Sequence, residues 1–349
     1  MISYSIFQNI VIDHLGREID EKSNLNQNKA ISAPINISQF LVAGPGSGKT
    51  TVMVLKILKF IYVDDVTPST ILATTFTRKA AAELRSRILS WGDEIRQVLL
   101  KDSKFKDLHP SLRYLDFNQI VTGTVDSISQ DILKLHRQPG EAPPVVIQDF
   151  VTSALMLNVG LFNGEKHHNE DLRDYLIKLR GGKFGFNTSE MCKQLLEIKD
   201  WERLVEEKKK EHPGFEIAYQ AINDYIYELE SRDLYDFAML EARFLDEIKR
   251  GKLDDFLEGI KIVLVDEYQD SNLLQEQIYF QLAKAALSKG GCMVVVGDDD
   301  QSLYRFRGAT VDLFTYFLER FNSEIDYETN QPEKIYLHQN YRSTENIVN

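Results

Sequence analysis

Cysteine is scarce in this sequence, and its scarcity removes several chemistries at once. Only Cys192 and Cys292 are cysteine among 349 residues, with no C-x-x-C spacing, so neither a disulfide framework nor a zinc or iron–sulfur site is indicated. A reducing, cytoplasmic setting fits that composition. Long apolar runs are missing too: the longest, Thr51 to Val63, is broken by Lys56 and Lys59 and is too short to span a bilayer. The N-terminus carries Asp13 and Glu18 where a signal peptide would place a basic segment and an apolar run, so no membrane partner is expected. Positive charge is also in deficit. Lys plus Arg number 41 against 53 Asp plus Glu, a net charge of −12, which by itself argues against non-specific nucleic-acid binding. A groove responds to the local field, however, and the cations gather in particular motifs while acidic residues crowd elsewhere.

What is present reads as a globular α/β chain long enough for two or three domains. Short β-branched runs end in small or polar residues and lead into helical patterns, as in a mostly parallel sheet with crossover helices. The candidate strands are Gln39 to Ala43, Thr70 to Thr75, Gln119 to Thr122, Lys261 to Val265, Met293 to Gly297 and Lys334 to Leu337. Between the third and fourth the sequence turns polar and helix-periodic. The spacing therefore predicts a sheet domain in two parts, 1–132 and 258–332, interrupted by a helical subdomain over 133–257, with 333–349 opening a further domain. Lys208-Lys209-Lys210 follows Glu206-Glu207 and reads as a solvated helix face.

The chemistry sits at two strand ends. Ala43, Gly44, Pro45, Gly46, Ser47, Gly48, Lys49, Thr50 and Thr51 follow a strand and open a helix. This is the G-x-x-x-x-G-K-[ST] phosphate loop with alanine at its first position. Its glycines permit a tight turn that aims N–H groups at phosphate oxygens, and the helix N-terminus adds partial positive charge. Lys49 suits the β and γ phosphates of ATP, and the Thr50 hydroxyl suits Mg²⁺. The second strand end is Ile262-Val-Leu-Val-Asp266-Glu267. There Asp266 suits metal coordination and Glu267 suits activation of the attacking water.

Joined to their neighbours, these residues resemble the UvrD, PcrA and Rep group of superfamily 1 helicases. Ala43 to Thr50 resembles motif I, Thr74-Thr-Phe-Thr-Arg-Lys-Ala-Ala-Ala-Glu-Leu84 motif Ia, and Gly123-Thr-Val-Asp-Ser127 a diverged motif Ib. Val265-Asp-Glu-Tyr-Gln-Asp-Ser-Asn272 resembles motif II. Val296-Gly-Asp-Asp-Asp-Gln-Ser-Leu-Tyr-Arg-Phe-Arg-Gly-Ala309 resembles motif III, and Asn340-Tyr-Arg-Ser343 motif IV. The order of six motifs across nearly the whole chain carries the resemblance.

The resemblance implies a RecA-like P-loop NTPase fold and ATP-driven 3′ to 5′ movement on single-stranded DNA, with a role in DNA repair. It implies that Gln27, in Leu25-Asn-Gln-Asn-Lys-Ala-Ile31, contacts adenine, that Gln301 senses the γ phosphate, and that Tyr341 and Arg342 stack on adenine and contact phosphate. For the strand it implies contacts from Phe76, Thr77, Arg78, Thr124, Tyr304, Phe306 and Arg307, a mixture of aromatic platforms and cations suited to sequence-tolerant binding. Phe306 stands where the family usually has tryptophan, and Val125 and Asp126 replace its phenylalanine and histidine. Aspartate beside a phosphate backbone would repel it.

The sequence stops at Asn349, just after motif IV, and no stretch resembles motifs V and VI, so the chain reads either as a fragment of a longer protein or as a truncated product with part of the function, the second RecA-like domain and its arginine finger coming from a longer chain or a partner subunit. Two readings stay open at this point: a helicase motor domain, and a nucleotide-dependent DNA- or protein-binding module that hydrolyses slowly. A small-molecule kinase has no need of the aromatic, basic motif III.

Overall fold

In the computed structural model, which describes residues 1–19, 24–137, 139–179, 187–201, 212–298, 311–325 and 331–338, the β-branched runs assemble as strands. These are β1 (Gln39–Ala43), β2 (Ile71–Thr74), β3 (Val121–Gly123), β4 (Val145–Val146), β5 (Leu234–Tyr235), β6 (Ile262–Val265), β7 (Cys292–Gly297) and β8 (Glu333–Leu337). Six of them form one sheet in the order β3-β2-β6-β7-β1-β8, every pair parallel. β2, β6 and β7 are buried along their whole length, as strands covered on both faces must be, which is why they read as unbroken apolar runs. The third strand differs from the expected run. Phe117–Gln119 forms a 3₁₀ turn because the Asp116 carboxylate captures the Asn118 N–H at 3.0 Å, so the strand starts at Val121.

The chain divides into two compact units, Met1–Ile128 with Glu247–Asn349, and Ser129–Asp246. In the first, the helix Lys49–Tyr62 is buried from Val52 onward, and the two lysines that break its apolar run are buried with it. Their stems pack, and their ammonium groups finish another helix: Lys56 Nζ donates to the Ala30 carbonyl at 2.6 Å and Lys59 Nζ to that of Ala33 at 2.9 Å, at the end of Leu25–Ser32. Burial pushes the Lys56 ammonium down to about 8.

The second unit is mainly helical. Glu170–Leu179, Thr188–Trp201 and Pro213–Glu230 pack around Met156, Leu172, Leu176, Leu195, Ile222 and Tyr225, with β4 and β5 as a two-stranded parallel pair. No helix among the described residues is long and apolar enough to cross a membrane.

Candidate functional site

The loop after β1 is shaped by two left-handed glycines, Gly46 (φ 75°) and Gly48 (φ 84°), a backbone state that costs an L-residue about 1–2 kcal/mol. Gly44 is not left-handed, and a Cβ added there would meet nothing within 4 Å. The helix Lys49–Tyr62 then starts with no side-chain cap. Two long helices of this unit are closed: Thr77 caps Arg78–Lys101, and Asn272 with Gln275 forms a capping box on Leu273–Leu287. The uncapped first turn keeps its N–H groups and partial positive charge for an anion, beside the full charge of Lys49. Among the described residues the buried Ser47 Oγ has no hydrogen-bond partner, and the Ser47 carbonyl accepts from Gln27 Nε2 at 2.9 Å, which ties the Leu25–Ser32 helix to the loop. Thr50 and Thr51, in the first turn, are half-buried.

Because the sheet is parallel, β6 releases its acidic pair at the same edge of the sheet as the loop. Lys49 Nζ meets Glu267 Oε2 at 2.9 Å, joining residues 218 apart in sequence. Asp266 is buried and its carboxyl is pushed up to about 7, by burial foremost and then by the charge of Glu267. The charge of Lys49 and the Glu267 N–H, 3.0 Å from Oδ1, pull it down. Asp270 is pushed up to about 6 by burial and then by Glu267, and among the described residues its buried Oδ1 has no hydrogen-bond partner. Three carboxylates thus surround one lysine, and that excess of negative charge fits a divalent cation. Among the described residues no group of three or more His, Cys, Asp or Glu could hold a metal by itself. This donor set suits Mg²⁺ taken by one or two protein oxygens and completed by phosphates and water.

A second concave surface, of about 200 Å³, lies at the ends of β2 and β3 and is lined by Arg78, Arg85, Thr122, Gly123, Thr124 and Ser127 with Ala81 and Ala82. Arg78 and Thr77 are exposed and Phe76 is half-buried, while Thr124 is buried. The Thr77 hydroxyl accepts from the Ala80 N–H at 3.1 Å. Thr124 and Ser127 cap each other, Ser127 Oγ accepting from the Thr124 N–H at 3.0 Å and Thr124 Oγ1 from the Ser127 N–H at 3.3 Å. Val125 is buried, and Asp126 is not among the residues lining the cleft. Gln301, Tyr304, Phe306, Arg307, Tyr341 and Arg342 lie outside the described residues.

Sequence reasoning assigned no role to Gln269, Asp270, Arg85 or Ser127. Gln269 and Asp270 were visible only as members of a motif, since the Gln269 contact depends on where β7 ends and the Asp270 environment on burial beside Glu267 and Lys49. Arg85 sits two helical turns after Arg78, a spacing that places both on one face and could have signalled the pair.

A family model described as UvrD/REP helicase N-terminal domain matches residues 23–322. DNA helicase II of Haemophilus influenzae is 31% identical over 338 residues, covering 95% of this chain and 40% of the relative. ATP-dependent DNA helicase SRS2 of Saccharomyces cerevisiae is 30% identical over 349 residues, covering 94% and 26%. ATP-dependent DNA helicase PcrA of Staphylococcus epidermidis is 27% identical over 314 residues, covering 88% and 36%. The chain therefore spans 40% or less of the length of these curated relatives.

Proposed function

The chain belongs to the UvrD/REP helicase N-terminal domain family, and from that premise we propose that it is the ATP-binding motor domain of a 3′ to 5′ DNA helicase or translocase. It couples ATP hydrolysis to its grip on single-stranded DNA in a reducing cytoplasm, where the two free, buried cysteines need no partner. The observation that carries the reading is the uncapped helix start behind two left-handed glycines, joined through Lys49 to the β6 carboxylates.

In this reading the residues divide the work. The loop from Ala43 to Thr51 cradles the phosphates, and Lys49 leaves Glu267 to neutralise their charge. Mg²⁺, when bound, neutralises charge that develops on the phosphates. Thr50 and Asp266 hold it. Glu267, released from Lys49, orients and deprotonates water. Gln27 contacts the base, Gln301 and Arg342 the γ phosphate, and Tyr341 stacks on adenine. Arg78 and Thr124 meet the DNA backbone at the cleft beyond β2 and β3, with Phe76, Thr77, Tyr304, Phe306 and Arg307 along the strand. The helical stretch 133–257 is a subdomain inserted in the ATP-binding domain. A second RecA-like domain, from a longer chain or a partner, closes on the nucleotide.

Titration calorimetry with ATP and Mg²⁺ tests the reading. Lys49→Ala is expected to weaken ATP binding by about 10²-fold or more, because the triphosphate loses its main counter-charge. Equal affinity in the two proteins would overturn the nucleotide assignment.

A further inference from the structure

Gln269 lies two residues past the acidic pair and is 2% exposed. Its amide spans two groups: Oε1 accepts the Asp298 N–H at 3.0 Å, and Nε2 donates to Glu267 Oε2 at 2.7 Å. The first bond sets the second. A backbone N–H can only donate, so the amide oxygen must face Asp298 and the NH₂ group must face Glu267; reversed, donor would meet donor and oxygen would meet carboxylate.

The surroundings leave this amide no slack. A Cβ added to Gly297 would lie 2.6 Å from Gln269 Oε1 and 2.4 Å from the Phe314 ring, so the end of β7 is kept bare for it. On the other side of the turn, Tyr268 is fully buried and donates to Glu276 Oε1 at 2.8 Å, and Arg320 Nε holds Glu276 Oε2 at 2.8 Å. The Tyr268 ring also meets Phe317 edge-on at 5.1 Å. Glu267 itself is left-handed at φ 52°, a state that persists in glutamate only where neighbours over-determine it, and Tyr268 and Gln269 supply that constraint.

Among the described residues both contacts to the Glu267 carboxylate fall on Oε2, from Lys49 and from Gln269. When Lys49 turns to the phosphates, Gln269 is the contact that stays. We infer that Gln269 is a positioning residue for ATP hydrolysis, holding Glu267 by Oε2 and registering it to the end of β7 so that Oε1 faces the attacking water. The inference rests on the nucleotide reading above and adds to it the group that aims its base.

The test compares turnover, measured with saturating oligo-dT, and ATP affinity in Gln269→Met and Gln269→Asn. The first removes both bonds at similar length, and the second keeps an amide too short to bridge Glu267 and Asp298. Both should lower kcat about 10- to 100-fold, the scale of a misplaced catalytic group, with ATP Kd within threefold of wild type. In a Glu267→Gln background the same changes should cost less than threefold, because the group being aimed has lost its basicity. Equal losses in both backgrounds, or matched losses of affinity and turnover, would assign Gln269 a merely structural role and overturn the inference. Lys49→Ala runs alongside. If it binds ATP like wild type, the nucleotide reading falls and takes this inference with it. If it fails to bind while the Gln269 variants turn over normally, only the inference falls.

Discussion

Two lysines, one in each compact unit, sit among carboxylates, and their surroundings part them. In the helical unit Lys199 pairs with Asp236 and, at 2.7 Å, with Asp200; the Tyr225 hydroxyl donates to Asp236 Oδ2 at 2.8 Å and the Met239 N–H to Oδ1 at 2.9 Å. The Asp236 carboxylate is closed by donors of its own unit. In the sheet unit Lys49 pairs with Glu267 while Asp266 and Asp270 crowd the same charge, and among the described residues no donor reaches the buried Asp270 Oδ1. Charge alone does not separate the two clusters, since each sets one lysine beside more than one carboxylate. What separates them is whether the donors suffice. A cluster complete in itself joins helices, and one short of donors beside an uncapped helix is suited to a ligand.

The sharpest way to break this contrast is Glu267→Gln. Turnover should fall about 10²- to 10⁴-fold while ATP affinity stays within a few-fold, since shape is kept and basicity lost. Single-turnover kinetics beside calorimetry would read both, and a parallel loss of affinity would put Glu267 with the structural carboxylates. Lys199→Met should act in the opposite sense. It leaves Asp236 buried and uncompensated, so urea denaturation should show a loss of about 3–5 kcal/mol, with ATP affinity unchanged. Weakened ATP binding by the folded variant would erase the distinction between the clusters.

Lys56 sharpens the comparison from a third side, as a buried lysine held by a carbonyl. Its folded pKa, about 8, lies below the unfolded value of 10.5, so between those values the unfolded chain binds more protons and stability rises with pH. The lysine contribution should grow by up to about 3 kcal/mol across that window. Denaturation of wild type and Lys56→Met at pH 7.5 and pH 9.5 would show wild type gaining on the variant, and parallel pH responses would refute the shift. The smallest effect is expected at the cleft beyond β2 and β3. Arg85→Ala should weaken oligo-dT binding a few-fold and reduce its salt slope by about one. An unchanged slope would return Arg85 to its contact with Asn118, 3.1 Å away.

Much of the sheet was legible because its signals are local. β-branched runs bounded by turn residues marked all six strands of the large sheet, and the glycine spacing before Lys49 marked the bend that Gly46 and Gly48 make. Where a local signal misled, a contact explains it. Glycine disfavours a helix interior, yet Gly92 lies inside the 24-residue helix Arg78–Lys101, because the Phe117 ring packs where a side chain would stand and the Tyr62 hydroxyl bonds the Gly92 carbonyl at 2.6 Å.

The sequence by itself determined the phosphate loop and the acidic strand end as candidates, since each is a run of adjacent residues whose backbone preferences and charges act over a few ångströms. Only the tertiary structure decided which donors face them. Gln27 reaches Ser47, Lys49 reaches Glu267, and Gln269 bridges Glu267 to Asp298 across separations of 20, 218 and 29 residues. A hydrogen bond is set by the positions of two atoms in space, and over such separations those positions depend on how the strands are ordered in the sheet.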